Sequence, residues 1–287
     1  MKKKFLALVL TLAMVLSLVP MTALATDRPA PTDNATTSVT KSQDGVNITK
    51  KVVTDKDGNN NLVMEAYVEG TTKTTISTKP LDIVLVLDVS GSMDDPMSRK
   101  DDTKRIDALK SAVNAFIENV AEKNTDAIGH KISIVKFAGQ KTTKVGDDKY
   151  RQKNYSQIVE NLTVVNAQGK ETLKGAVNRL KPAGATRADY GMQVAKDALG
   201  TDLTDQSRDK VVVMFTDGSP NDHSGFDNSV ASDAISASQV LKNKGVKVYT
   251  VGIFDNADPS EDVTTDASKE NKYMHAVSSN YQSASFV

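Results

Sequence analysis

Acidic and hydroxyl side chains follow two aliphatic runs of the sequence, at the point where each run ends. The run 83–87 leads directly into the motif D-V-S-G-S at 88–92, and the run 211–215 leads into T-D-G at 216–218. A third segment, the loop 182–186 between two predicted helices, carries another hydroxyl. Oxygen ligands of this kind suit a hard cation such as Mg²⁺, Mn²⁺ or Ca²⁺, whereas zinc sites favour His and Cys. The sequence therefore predicts a divalent-cation site at the ends of strands.

The spacing within the first motif places alternate side chains on the same side of the chain. Asp88, Ser90 and Ser92 can face one side while Val89 returns to the core. Gly91 lets the backbone turn closely at this point, because glycine has no Cβ. The motif thus offers one carboxylate and two hydroxyls to a shared ligand.

The segments around these motifs alternate between strand and helix patterns. The run 83–87 is typical of a strand covered on both faces, and 131–138 and 246–253 predict further strands. Apolar residues spaced three and four apart over 105–124 predict an amphipathic helix. The remaining predicted elements are helices at 171–180, 190–199, 231–244 and 271–279 and an edge strand at 158–165. This alternation predicts an α/β fold with a doubly wound, mostly parallel sheet, in which ligands bind beyond the carboxyl ends of the strands.

The polar motifs resemble the three elements of the metal-ion-dependent adhesion site (MIDAS) in von Willebrand factor type A (VWA) domains. The similarity covers about residues 81–287 and rests on the D-x-S-x-S spacing, a later Thr, and an Asp that follows an aliphatic strand. It implies a Rossmann-like VWA fold that binds Mg²⁺, with Mn²⁺ or Ca²⁺ as alternatives. By position, the implied metal site consists of Asp88, Ser90, Ser92, Thr186 and Asp217.

The resemblance also implies a role for each of these side chains. The hydroxyls of Ser90 and Ser92 bind the ion directly, Thr186 binds directly or through water, and the two aspartates act largely through bound water. One octahedral position stays open, and an Asp or Glu carboxylate of a partner protein completes it. The implied function is metal-dependent adhesion without catalysis, and the implied partner is a host or matrix protein or a pilus subunit.

The order of segments along the chain predicts an exported protein. Three lysines, an apolar run and a small-residue triplet predict a signal peptide over 1–25. Residues 26–45 predict a flexible linker, and 46–79 predict the hairpin and connector of an incomplete β-rich domain. The VWA domain is predicted over 80–287, ending before a closing strand and helix. Together with a resemblance to Gram-positive surface adhesins and pilus-tip proteins, the leader predicts a protein secreted to the cell surface or cell wall.

Composition excludes several other classes of protein. Lys+Arg and Asp+Glu both total 36, so no strong positive field is present to bind nucleic acid. Cysteine is absent, which excludes disulfides, thiolate zinc sites and cysteine nucleophiles. No segment after the leader approaches the length of about 20 apolar residues that a membrane span needs, so none is predicted in the mature chain.

Two alternative functions are weighed against adhesion. One is a structural surface or pilus module whose metal site is unused. The other is a Mg²⁺-dependent phosphatase of the haloacid-dehalogenase type, which is disfavoured because its general acid, a second Asp, would have to replace Ser90. The adhesin resemblance further implies a Lys–Asn isopeptide bond in the leading β-rich domain, with Lys50 or Lys51 as the amine and Glu65 as the promoting acid.

Overall fold

The described residues fall into two compact units, one within Val19–Ser77 and the other from Lys79 onward. The computed structural model describes residues 35–43, 46–54, 60–68, 79–124, 128–146, 154–223, 225–254, 257 and 268–279. The predicted signal peptide over 1–25 lies outside the described residues.

The smaller unit contains an antiparallel sheet of the strands β1 (Ala35–Gln43), β2 (Val46–Thr54) and β3 (Asn60–Val68), in the order β1-β2-β3. Strands β2 and β3 span the region for which the sequence predicts a hairpin. The flexible linker predicted over 26–45 is wrong for the residues of β1. This segment is rich in Thr, which favours strands, and it pairs with β2. The assignment of a separate β-rich domain stays a prediction, and the isopeptide bond involves side chains outside the described part.

The larger unit is built on a five-stranded sheet with the strand order β10-β9-β4-β7-β8. Its strands are β4 (Leu81–Asp88), β7 (Lys131–Phe137), β8 (Gln157–Val164), β9 (Asp209–Thr216) and β10 (Lys247–Gly252). All neighbouring pairs are parallel except β7 and β8, which are antiparallel. The prediction of a mostly parallel sheet with β8 at its edge is confirmed.

Five α-helices are described in the larger unit. They are α1 (Arg105–Lys123), α2 (Ala167–Asn178), α3 (Ala188–Leu199), α4 (Asn228–Lys242) and α5 (Lys269–Val277). Across the part of the chain that the structure describes, no helix has the length and apolar character needed to cross a membrane.

The helices cover both faces of the sheet, and the central strand β4 shows how. Ile83, Leu85 and Leu87 pack with α1 and α2 on one face, whereas Val84 and Val86 pack with α3, α4 and α5 on the other. All five side chains are buried. A strand covered on both faces needs a continuous aliphatic run, which is the pattern that the sequence has here. The doubly wound α/β fold is therefore confirmed.

The register of the central strands brings the chemistry-bearing residues to one edge of the sheet. Leu87 on β4 lies beside Phe215 on the parallel strand β9, so the residues that follow each strand emerge side by side. Between β4 and α1 the chain forms a 3₁₀ turn at Gly91–Asp94 and a small antiparallel ribbon of β5 (Pro96–Ser98) and β6 (Asp101–Lys104). The ribbon lies in a segment for which the sequence analysis predicts neither a strand nor a helix.

Candidate metal centre

Three loops meet beyond the carboxyl ends of β4 and β9. We call them the motif loop (residues 88–95), the threonine loop (residues 180–187) and the aspartate loop (residues 217–223). The motif and threonine loops are joined by two backbone hydrogen bonds, from Gly91 to Gly184 at 3.0 Å and from Ala183 to Val89 at 2.9 Å. A Cβ added to Gly91 would lie 3.4 Å from the Gly184 carbonyl oxygen, which is an ordinary van der Waals distance.

Asp88 lies at the base of the centre and is fully buried. One carboxylate oxygen, Oδ1, accepts a hydrogen bond from the Ser90 amide at 2.9 Å, and Oδ2 accepts one from the Thr216 hydroxyl at 2.7 Å. Thr216 ends β9, so this contact joins the ends of the two central strands. The two hydrogen bonds fix the orientation of the carboxylate.

Asp88 and Asp217 lie close enough for their negative charges to repel each other. Burial raises the pKa of Asp88 to about 7, and the charge of Asp217 adds to the rise, although hydrogen bonds from Ser90 and Thr216 oppose it. Asp217 itself is only 5% exposed. Two buried carboxylates whose negative charges are only partly compensated are stabilised when a cation neutralises them.

The hydroxyls of the motif loop converge beside these carboxylates. Ser90 Oγ lies 3.1 Å from Ser92 Oγ, with Ser90 buried and Ser92 half-buried. Two oxygens at this separation are spaced closely enough to bind one ion together. Met93 of the same loop points away from them into the core, where it is fully buried.

Thr186 connects the threonine loop to the aspartate loop. Its backbone exchanges two hydrogen bonds with Asn221, at 2.9 and 3.1 Å, and its buried hydroxyl accepts a third from Asn221 Nδ2 at 3.3 Å. The structure thus brings Asp88, Ser90, Ser92 and Asp217 together. Thr186 lies in the threonine loop, which is hydrogen-bonded both to the motif loop and to the aspartate loop.

Arg105 is a residue of this centre that the sequence did not reveal. Its Nη1 atom lies 3.1 Å from Asp217 Oδ2 and also donates to the Ser92 carbonyl oxygen at 3.4 Å. Arg105 is the first residue of α1, where a positive charge opposes the helix dipole. That unfavourable position is a sequence signal that could have indicated a role outside the helix.

Asn154 was also missed. Its Nδ2 atom donates to the carbonyl oxygens of Val89, Lys181 and Ala183, at 2.8, 3.0 and 3.1 Å. Its Oδ1 atom accepts from Lys136 Nζ at 3.0 Å. One buried amide therefore connects the motif loop to the threonine loop. Its backbone φ of 28° is in the left-handed region, which Asn tolerates better than most residues.

A sequence comparison decides the family of the chain. The profile of the von Willebrand factor type A domain matches residues 82–286. The chain belongs to this family. No curated protein sequence matches the chain, so the remaining comparisons are with solved structures.

Two solved pilus proteins share the fold of this VWA domain. The pilus adhesin SpaC from Lactobacillus rhamnosus GG, in its open conformation, has a TM-score of 0.51 and 17% identity over 84% of this chain and 30% of SpaC. The vWF domain of the type V pili tip protein Mfa5 from Porphyromonas gingivalis has a TM-score of 0.50 and 14% identity over 70% of this chain and 87% of that domain. The chain therefore spans less than a third of SpaC. At these identities the likeness shows the fold alone.

The donor groups of the VWA domain fit a hard divalent cation. Two carboxylates and neighbouring serine hydroxyls provide oxygen ligands only, which Mg²⁺, Mn²⁺ and Ca²⁺ prefer. Among the described residues, no group of three or more His, Cys, Asp or Glu side chains is placed to hold a metal ion. Any cation bound here would thus depend on hydroxyl oxygens as well as on the two aspartates.

Proposed function

We propose that this VWA domain binds a divalent cation through Asp88, Ser90, Ser92, Thr186 and Asp217 and uses the ion to capture an acidic side chain of a partner protein. The observation that carries the proposal is the buried pair of aspartates beside two hydroxyl oxygens 3.1 Å apart, at the carboxyl edge of the central strands. We propose Mg²⁺ as the ion, with Mn²⁺ or Ca²⁺ as alternatives.

The chemistry of the donors supports capture of an anion. A bound divalent ion would supply positive charge and an open coordination position. Ser90 and Ser92 are neutral donors, so among the proposed ligands only the two aspartates compensate that charge. Asp88 is held in place by the Ser90 amide and the Thr216 hydroxyl, which makes it an orienting group rather than a mobile one. No bond of the partner needs to be made or broken, so the proposed function is adhesion and the protein is not an enzyme.

The proposed location is the cell surface. A signal peptide over 1–25 would export the chain, with attachment to the cell wall. The fold is shared with SpaC, a pilus adhesin, and with Mfa5, a pili tip protein. The proposed partner is therefore a host or matrix protein, or a pilus subunit, with an Asp or Glu at its contact point.

Calorimetric titration of the full chain with Mg²⁺ and Mn²⁺ tests the cation site. Asp217→Asn keeps the size of the side chain but removes its charge, and we expect it to weaken binding by about 10–100-fold. The matched control is Asp94→Asn, because Asp94 belongs to the motif loop but is exposed and paired with Lys104. Equal affinity for the wild type and Asp217→Asn would refute the site.

Adhesion is tested on immobilised matrix proteins in Mg²⁺ and in EDTA. We expect binding in Mg²⁺, loss of binding in EDTA, and loss in the Asp217→Asn variant under both conditions. Binding that persists in EDTA would contradict metal-dependent capture and would favour a structural surface module.

A further inference from the structure

Arg105 places a permanent positive charge at the candidate metal centre. Its guanidinium contacts the Asp217 carboxylate at 3.1 Å and the Ser92 carbonyl oxygen at 3.4 Å. The Asp217 side chain is 3% exposed and that of Arg105 is 23% exposed, so water screens this ion pair only in part. The contact therefore joins two residues of the centre rather than two surface charges.

The surroundings of Arg105 indicate that the centre, and not its own helix, holds this side chain. Arg105 begins α1, where the helix dipole disfavours a cation. Its Nε atom is buried and has no hydrogen-bond partner among the described residues. Both the position at the start of the helix and the unpaired Nε atom are unfavourable. The contacts with Asp217 and Ser92 must therefore hold the side chain in place.

Other cations near the centre are already paired with acids that are not among the proposed metal ligands. Arg187, which follows Thr186, forms a two-pronged ion pair with buried Asp189 at 2.9 and 2.8 Å. Lys104 pairs with Asp94 at 2.8 Å. Within the described part of the chain, Arg105 is thus the cation that contacts a candidate metal ligand.

The charges of the centre follow from these contacts. Asp88 and Asp217 contribute two negative charges and Arg105 one positive charge, so a divalent ion bound there leaves a net positive charge. Without Arg105, the same ion would be neutralised. We propose that Arg105 is a specificity-determining residue. It weakens cation binding and leaves a net positive charge at the occupied centre, which favours an anionic ligand. This inference rests on the cation site proposed above.

The first test measures Mn²⁺ affinity by calorimetry in the wild type, Arg105→Gln and Arg105→Lys. Since like charges repel across a partly buried centre, Arg105→Gln should bind Mn²⁺ about tenfold or more tightly. Arg105→Lys keeps the charge and should stay near the wild type. Melting temperatures in EDTA and in Mn²⁺ provide a second readout, and the rise caused by Mn²⁺ should be larger in Arg105→Gln.

The second test measures the affinity of the centre for a simple carboxylate. Acetate that displaces water from bound Mn²⁺ lowers the relaxation rate of the water protons. Because Arg105→Gln lacks the positive charge, it should need several times more acetate than the wild type for the same decrease in that rate. Equal or weaker Mn²⁺ binding by Arg105→Gln would overturn the inference while leaving the cation site intact. A wild type that binds no Mn²⁺ would overturn both.

Discussion

Replacement of Asn154 by alanine removes the amide that connects the motif loop to the threonine loop. Asn154 is 5% exposed, and the two hydrogens of its Nδ2 atom are shared among three backbone carbonyls, while its Oδ1 atom accepts from Lys136. The Val89 carbonyl keeps a second donor, the Ala183 amide. Within the described part of the chain, the carbonyls of Lys181 and Ala183 accept from no donor other than this amide, so the substitution removes the donor that they share.

The size of the effect follows from the two amide hydrogens and the hydrogen bond accepted from Lys136, about three hydrogen bonds in all. Each contributes about 0.5–1.5 kcal/mol, and Lys181 is exposed, so water can partly replace the lost donor there. We therefore expect Asn154→Ala to lower the free energy of unfolding by about 3 kcal/mol, a large part of the 5–15 kcal/mol that is typical of a domain. The loss arises in the loops, so it should reach the metal centre as well.

Urea denaturation of the full chain measures the loss as a shift of the midpoint at unchanged slope. The matched control is Asn161→Ala, because Asn161 lies exposed on β8, and surface substitutions of this kind usually change stability by less than about 0.5 kcal/mol. Mn²⁺ titration of the same proteins should show weaker binding in Asn154→Ala only. A difference below about 1 kcal/mol between the two variants would refute the reasoning.

Two further predictions concern pH and packing. Burial and the Asp217 charge raise the pKa of Asp88 from 3.8 to about 7, so its stabilising contribution is present in full at low pH and is lost as the pH rises to about 7. In EDTA the melting temperature should therefore fall between about pH 4 and pH 7, and Asp88→Asn should flatten the profile; equal slopes in both proteins would contradict this. Gly191→Ala should cost about 1–3 kcal/mol in urea denaturation, because its Cβ would lie 2.9 Å from Phe137 side-chain atoms. In the control Gly175→Ala, the Cβ meets only the flexible end of Arg179 at 3.3 Å, so that protein should be at least as stable as the wild type; equal losses would argue against steric overlap.

The sequence predicted the larger unit well because its strands are buried on both faces. The run 83–87 is continuous in aliphatic residues, and it became the centre of β4 with side chains in both hydrophobic clusters. The amphipathic pattern over 105–124 likewise became α1. In both segments a strong local pattern and the tertiary environment favour the same structure.

The missed strands lack such a pattern. β1 is a polar segment at the edge of its sheet, and it becomes a strand by pairing with β2 rather than through an apolar face. The ribbon strand β5 has only three residues, one of them a proline. Segments this short and polar carry little information in their own sequence, so their structure depends on what lies beside them.

The same distinction separates the predicted and missed residues of the centre. Asp88 and Asp217 lie at the ends of recognisable strands, so the strand pattern alone is enough to place them at the carboxyl edge of the sheet. Arg105 meets Asp217 across 112 residues of sequence, and Asn154 meets Val89 across 65. Contacts over such separations depend on the packed fold, and neither residue belongs to the polar motifs from which the metal site was predicted.

Hydrogen bonds hold all three loops of the centre in the absence of an ion. The motif and threonine loops share the Asn154 amide and two backbone hydrogen bonds. The threonine and aspartate loops share two backbone hydrogen bonds between Thr186 and Asn221, and Arg105 contacts the Asp217 carboxylate at 3.1 Å. The side chains of the proposed site are therefore largely in place before an ion binds. Because the charge of Asp217 is already balanced by Arg105, Asp217 is the ligand through which Arg105 would act on a bound ion.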